Sequence, residues 1–409
     1  MVWGFADFLV LSLTLIYAAG AGWFLRGIRR GSRRPVEETD NLRVAVVIAA
    51  RDEEANIATC LRQLGAQDFP REAWEILLVD DGSRDGTGDL AKEVLSDSWS
   101  GPNARVLSTQ VELGRSGSKK DALNLGIRST GAELILTTDA DCKVPESWVR
   151  SMVASFSARV VAVVGFSQIG ELDEIKRMEQ GWEGLDFLAL MTAAAGSCGN
   201  GYPLAASGQN LAFRRTAFVE VGGYERIRHR ASGDDVLLLQ LLHRSGRGGV
   251  VFAQDPKSHV SHPASLSFRD VISRRARWAS NAPIQLTLDP LFFLYLCSIF
   301  ALSLVFVTAP LLVAVGAASL ATLGIAFGLK ATADLAMVAV GARRFRRGDL
   351  LRYAPVWILL QPFYTVVVGV LGVVGRFEWK GRVYRRGRSD RARDTAPESI
   401  SESPACDAS

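Results

Sequence analysis

Asp139-Ala140-Asp141 sets two carboxylates on either side of one small residue, at the end of the apolar run 132–138 (A-E-L-I-L-T-T). Residues two apart in a strand point to the same side. The pair therefore converges at a strand's carboxyl end, where open α/β sheets bind their ligands. Paired hard oxygens suit Mg²⁺ or Mn²⁺, which is usually held by one or two carboxylates together with substrate phosphates. D-x-D is short, and a bland surface Asp pair has the same letters; its weight comes from the other acidic clusters. Arg51-Asp52-Glu53-Glu54 follows the run 42–50, and Asp80-Asp81-Gly82-Ser83 follows 74–79, so all three clusters can face one crevice. The 80–83 cluster also reads as a plain turn, since Asp, Gly and Ser all favour turns. Glu53 also reads as a first-turn acid complementing a helix dipole.

These groups need elements to position them. The run 42–50 (L-R-V-A-V-V-I-A-A) has the continuous β-branched character of a strand buried on both faces. Helical spacing over 53–64 places Ile57, Cys60, Leu61 and Leu64 on one side. A strand over 74–79, a helix over 85–95, a short strand over 105–108, a helix over 119–128 and a strand over 133–138 follow. Alternating strand and helix predicts an α/β domain with a mainly parallel sheet.

The composition is segmented. Of 409 residues 48% are hydrophobic, but the long apolar runs lie at 2–24 and beyond 288. That pattern predicts a membrane protein carrying an aqueous domain. At about 1.5 Å per residue, 2–24 is long enough to span a bilayer. The arginines come after it (Arg26, Arg29, Arg30, Arg33, Arg34), the opposite polarity to a cleaved signal peptide. Further basic clusters at 343–347 and 376–388 also follow apolar runs, so the positive-inside rule explains them better than a nucleic-acid-binding arm. The expected organisation is an anchor at 1–25, a basic and polar linker at 26–41, an aqueous domain at 42–287 and a membrane region at 288–375. A basic juxtamembrane segment at 376–388 and a disordered tail at 389–409 complete it. Pro310 is expected to separate two spans, 291–308 and 311–327, in a tight hairpin. The stretch 331–342 is too short to span and carries Asp334, so it reads as interfacial or as an extension of the preceding helix. The run 353–374 is long enough to cross, with basic residues on both sides that leave its orientation open. The 5 cysteines lack metal-ligand or disulfide spacing, as fits a reducing cytoplasmic setting. Cys142 reads as a strand-end filler, and there are no internal repeats.

In order along the chain stand A-A-R-D-E-E at 49–54, D-D-G-S-R-D-G-T at 80–87, K-K-D-A-L-N-L-G-I at 119–127, D-A-D at 139–141 and S-G-Q-N-L-A-F-R-R at 207–215. V-G-G-Y at 221–224, G-D-D at 233–235, R-R-A-R-W at 274–278 and F-E-W-K-G-R at 377–382 follow. In this ordered set the chain resembles a membrane-embedded family 2 glycosyltransferase with the GT-A fold, an α/β domain with flanking transmembrane helices. The resemblance implies an inverting transfer from a nucleotide-diphospho-sugar, often UDP-linked, to a membrane-associated lipid or glycan acceptor. It implies an inner (plasma) membrane, multi-pass protein with a cytoplasmic catalytic domain, and no nucleic-acid partner. Glu53 and Asp81 would hold the nucleoside, an acceptor-only carboxylate suiting two hydroxyls or a base N–H. Lys119, with Lys120 as the adjacent alternative, would lie near the diphosphate or base, or be a solvated helix-start lysine. Asp139 and Asp141 would hold the divalent metal, Asp139 also touching the sugar or ribose. Asp235 would be the catalytic base, ionised at a helix start, and Asp234 a cap or orienting group; either could be only an N-cap. Arg277 suits diphosphate, and Trp278 offers an aromatic face to acceptor or donor. Asn210 and Gln209 would line the sugar and acceptor site, Gly208 permitting close backbone approach.

Position 274 departs from the family's Q-x-x-R-W pattern, being Arg. That puts processive polysaccharide synthesis in doubt; Arg274 is expected to meet phosphate or lipid head groups. Trp182 reads as helix core, His262 as structural and Gly222-Gly223 as a turn. The F-E-W-K-G-R match would place the tail on the cytoplasmic face. Two other readings stand beside this one. A sugar-phosphate nucleotidyltransferase would share the nucleotide domain but would open with a Gly-rich loop that 49–54 lacks. A non-catalytic membrane protein with a glycosyltransferase-like domain would not need every acidic element.

Overall fold

Helix α1 (Phe5–Arg30) leads into β1 (Val44–Ala50), which is apolar throughout and almost wholly enclosed, as a strand covered on both faces must be. The computed structural model describes residues 4–31, 42–96, 99–171, 174–230, 232–379, 382–385 and 388–389; most of the expected linker and the tail lie outside them. After β1 come α2 (Glu54–Gly65), β2 (Trp74–Asp80), α3 (Thr87–Val94), β3 (Asn103–Ser108), α4 (Thr109–Leu113), α5 (Lys119–Arg128) and β4 (Leu134–Thr137). The next elements are α6 (Trp148–Val153), β5 (Val160–Gly165), β6 (Ser167–Ile169), α7 (Met178–Gly199), β7 (Leu211–Arg214) and α8 (Arg215–Glu220). Then α9 (Val236–Arg244), β8 (Gly249–Ala253), β9 (Val260–His262), α10 (Phe268–Ala279) and α11 (Ala282–Leu288) lead to α12 (Pro290–Ala314), α13 (Leu320–Arg344) and α14 (Ala354–Val374).

The main sheet has the order β3-β2-β1-β4-β7-β5-β8. β1 pairs in parallel with β2 on one side and β4 on the other, whereas β7 runs antiparallel between β4 and β5. The chain winds outward from β1 to β3 and then returns to place β4 beside β1. That reversal is the switch point at which open sheets leave a crevice. The register sets Ala50 opposite Asp80 and Val47 opposite Thr137, so the carboxyl ends of β1, β2 and β4 open side by side. One sheet face packs on Leu123 and Ile127 of α5 and Leu185 and Leu188 of α7. The other packs on Ile57 and Leu61 of α2 and Trp148 of α6. Trp182 is enclosed in that first layer, in keeping with its helix-core reading.

Among the described residues four helical stretches are long and apolar enough to cross a membrane: α1, α12, α13 and 348–374. The two ends of α1 meet different surroundings. Asp7 accepts from the Ser319 amide at 3.0 Å, in the turn joining α12 to α13, while at the other end Gly27 packs on Gly196 of α7 so closely that a Cβ would not fit. One expectation for this region is corrected and an open alternative is decided. Pro310 lies inside α12, and the reversal comes later, at 315–319, where Gly316 takes φ 67°. A membrane helix tolerates such a proline where the freed backbone groups find other partners. Of the two readings of 331–342, the structure has the helix extension: the stretch is the second half of the continuous α13. Its Asp334 is neutralised by Lys330 one turn earlier, Nζ to Oδ2 2.6 Å, and accepts from the Tyr17 hydroxyl of α1.

Candidate active site

The loops after β1, β2 and β4 are laced together by their own polar groups. Arg51 Nη1 donates to Asp81 O at 3.0 Å and to Ser116 Oγ at 3.2 Å. Asp80 and Asp81 divide the labour. Asp80 Oδ1 accepts from the Ser83 amide at 3.0 Å, which makes the turn. Asp81 is buried, its Oδ1 accepting from Gly117 N at 2.6 Å and Thr109 Oγ1 at 3.0 Å. Glu53 is the first residue before α2; its Oε2 accepts from Asn56 Nδ2 at 2.8 Å. Burial, then the carboxylates of Asp141, Asp139 and Glu53, push the Cys60 thiol up to about 12, so all three carboxylates act on one region.

Past β4, the carboxylates of Asp139 and Asp141 and the thiol of Cys142 lie within 4.8 Å of one another. Cys142 is buried, and its thiol is pushed well up by burial and by the two Asp charges. It stays protonated and points at Asp141 Oδ1, 3.7 Å away. A protonated thiol is no ligand for a thiophilic metal, whereas two half-buried carboxylates fit a hard cation such as Mg²⁺ or Mn²⁺.

Lys119 and Lys120 begin α5, whose first turn is fixed by a capping box between Ser118 and Asp121. One lysine turns to each side. Lys119 Nζ sits 2.6 Å from Asp139 Oδ1 and 3.2 Å from Asp234 Oδ2. Burial works against its charge, but Asp139 and Asp234 outweigh it and hold its pKa well above the usual value. Lys120 is buried and donates to the carbonyls of Arg230 at 2.8 Å and Ser232 at 3.1 Å; burial draws its pKa down to about 8. Lys120 thus ties down the loop that carries Gly233-Asp234-Asp235, a role sequence reading missed.

Asp235, not Asp234, caps α9, which corrects the expected division between them. Its Oδ1 accepts from Val236 N at 2.7 Å and its Oδ2 from Gly208 N at 3.0 Å. Burial and the neighbouring Asp234 charge raise its proton affinity. Asp234 goes the other way: burial opposes ionisation, but Lys119 and Lys120 hold it ionised. Two adjacent carboxylates with proton affinities pushed apart mark distinct roles. Gly208 lies among them, and a Cβ there would fall 3.1 Å from Asp234 Oδ2 and 3.6 Å from Lys119 Nζ. Thr137 Oγ1 at the end of β4 fixes the Gly208 carbonyl at 3.0 Å.

Arg277 of α10 faces the same carboxylates. Burial lowers its pKa, and Asp234, Asp235 and Asp139 oppose that with their negative charge. With a family model described as glycosyl transferase family 2 matching residues 45–222, and one described as glycosyl transferase family group 2 matching 134–368, more than half of the chain is accounted for. The chain belongs to glycosyltransferase family 2. This separates it from the nucleotidyltransferases.

Among curated relatives, glycosyltransferase AglE of Haloferax volcanii is 30% identical over 122 residues, 30% of this chain and 38% of its own length. A beta-monoglucosyldiacylglycerol synthase of Synechocystis is 31% identical over 115 residues, 28% of this chain and 23% of its own. The chain therefore spans well under half the length of each. The mannosyltransferase PcManGT of Pyrobaculum calidifontis, solved in complex with GDP-Man and Mn²⁺, is similar in fold, with TM-score 0.59, 19% identity, and 90% of this chain and 98% of that one covered.

Within this glycosyltransferase Asn210 is displaced from its expected role. It is fully enclosed; its Oδ1 accepts from Trp148 Nε1 at 2.9 Å and its Nδ2 donates to Phe166 O at 2.9 Å and Ser258 O at 2.6 Å. The side chain braces α6 against the loops beside β5 and cannot line an acceptor pocket. Gln209 stays half-buried, its Oε1 accepting from Ser207 Oγ at 3.2 Å. Arg274 is corrected as well. It lies 3.5 Å from Oε1 of Glu183, a fully buried carboxylate that also accepts from Ser265 N at 2.8 Å. The departure from Gln is answered by a counter-charge inside the protein. Next to it Arg275 pairs with Asp186 at 2.9 Å, and its guanidinium lies 4.2 Å from the Trp278 ring centre. Trp278 therefore gives one ring face to Arg275. Glu183 and Asp186, three apart in an otherwise apolar stretch of α7, were the sequence signal for these pairs. Burial draws the pKa of His262 down to about 3, leaving it neutral, and its Nδ1 lies 2.9 Å from Pro263 O, in keeping with its structural reading.

Proposed function

We propose that this glycosyltransferase moves a sugar, with inversion, from a UDP-linked nucleotide-diphospho-sugar to a hydroxyl of a lipid or glycan acceptor at the membrane.

 In this reading Asp81 and Glu53 receive the nucleoside, and Arg277 and Lys119 meet the diphosphate. Asp139 and Asp141 hold Mg²⁺ or Mn²⁺, which when bound offsets the diphosphate charge and stabilises the leaving group. Asp235 takes the proton from the acceptor hydroxyl. Asp234 stays ionised against Lys119 and fixes that lysine's position. Gln209 and Trp278 border the acceptor side.

The observation that carries this reading is the split between Asp234 and Asp235. One carboxylate is neutralised by a lysine, while its neighbour is held by two backbone N–H groups with a raised proton affinity, as a base requires. The four long apolar helices and a relative named for making a glucosyldiacylglycerol favour a lipid acceptor in a plasma membrane, with the catalytic domain cytoplasmic. The test is a donor screen on the detergent-solubilised protein with Mn²⁺ and a membrane lipid extract, read by mass spectrometry. A hexose added to a lipid from a UDP-sugar is expected. Transfer only from donors with another nucleoside, or only to soluble acceptors, would overturn the corresponding part.

A further inference from the structure

We infer that α14, although long and apolar enough to span, lies along the membrane surface, so that the chain crosses with α1, α12 and α13 and its carboxyl-terminal end is on the catalytic side. The contrast is with α1, which has one end on the catalytic domain at Gly196 and the other at the α12–α13 turn. Helix α14 meets the catalytic domain along its whole length. At its start Tyr353 packs on Gly181 of α7 with no room for a Cβ, and Trp357 Nε1 donates to Asp186 Oδ1 at 3.2 Å. In its middle the Tyr364 ring meets Trp182 at 4.5 Å between centres. Near its end Gly372 is pressed on α10, where a Cβ would fall 2.7 Å from Ala279 Cβ and 2.8 Å from Ala276 O.

A helix of 21 residues is about 30 Å long, the thickness of the hydrocarbon core. Were α14 to cross, Gly372 would lie about 22 Å across the bilayer from Trp357, in the opposite leaflet. Its neighbour there is instead α10, which carries Arg269, Arg274, Arg275 and Arg277 and is clamped to α7 by the Arg275–Asp186 pair at 2.9 Å. Such a helix belongs at the catalytic surface and not across a bilayer.

The opposite side of α14 exposes Val356, Leu359, Leu360, Phe363, Val367 and Val370, each more than a third accessible. Their spacing makes one apolar stripe. Its occupant is the acyl-chain boundary of the leaflet on the catalytic side, because another face of α14 packs on a spanning helix: Phe300 of α12 covers Gly369, where a Cβ would come within 2.8 Å of the ring. An interfacial helix buries its apolar face about 5–10 Å deep. Here that burial would draw α10, with Arg277 and Trp278, onto the membrane boundary. The inference rests on helix contacts alone and does not depend on the donor or acceptor chemistry.

The test uses the full-length protein in liposomes, with Cys297→Ser and Cys406→Ser so that labelling is confined to the introduced thiols. Spin labels are introduced singly by Leu359→Cys, Val367→Cys and Val374→Cys. Depths within about 5 Å of one another are expected for a helix lying in the interface. A progressive change of about 20 Å between 359 and 374 would show a crossing helix and overturn the inference. Separately, thiols placed by Arg247→Cys, on the exposed domain surface, and by Ser409→Cys are treated with a membrane-impermeant reagent. Labelling of both from the same side is expected, and labelling from opposite sides would overturn it.

Discussion

The amide N–H of Gly208 donates to Oδ2 of Asp235 at 3.0 Å, across 27 residues of chain. With Val236 N on Oδ1, this bond aims the carboxylate and leaves each oxygen a further lone pair toward the crevice. Asp235→Asn keeps the shape but removes the base, and it turns an NH₂ group toward one of those amides. Turnover should fall by about 10²- to 10⁴-fold while donor binding is retained. Steady-state rates with calorimetric titration of the donor check this, and near-normal turnover would remove Asp235 from the role of base.

The same pair governs the pH profile. A base must be ionised, so the rate falls as pH drops through the Asp235 pKa, which burial and Asp234 place above the ordinary carboxylate range. Asp234→Asn deletes the neighbouring negative charge. The Asp235 pKa then falls, and the acidic limb of kcat/KM should move to lower pH. An unmoved limb would mean that another group sets it.

Asp139→Ala combined with Asp141→Ala removes both hard ligands but leaves Asp81 and its hydrogen bonds in place. Mn²⁺ should then no longer strengthen donor binding, a difference read by calorimetry with and without the metal. Equal metal dependence in the wild-type and doubly substituted proteins would place the ion elsewhere.

Asn210→Ala tests the reassignment of that residue. It leaves Trp148 Nε1, Phe166 O and Ser258 O without their partner inside the protein. Stability should fall by about 3 kcal/mol, from unsatisfied buried groups and a small cavity. Thermal unfolding reads the loss, while the acceptor KM of the folded fraction should stay within about twofold, because the Asn210 side chain faces the interior and its loss changes the amount of folded enzyme rather than its binding. A large rise in acceptor KM with unchanged stability would restore a binding role.

The sequence by itself determined the strand–helix alternation, the apolar spans and the three acidic clusters at strand ends. Those features are carried by backbone periodicity and local chemistry: 44–50 reads as a buried strand and Lys119–Arg128 as a helix from their own residues. The tertiary structure alone decided which of two adjacent like residues faces the site. Lys119 and Lys120 have the same charge and differ only in the helix face they occupy, and Asp234 and Asp235 differ only in the groups that reach them from 119 and 208. It also decided that Asn210 serves the interior, that Glu183 answers Arg274, and that α14 returns to the domain it leaves. Each of these depends on partners far away in the chain. Hydropathy records whether a residue favours apolar surroundings, but the identity of a hydrogen-bond or ionic partner is fixed only when the fold brings two distant segments together.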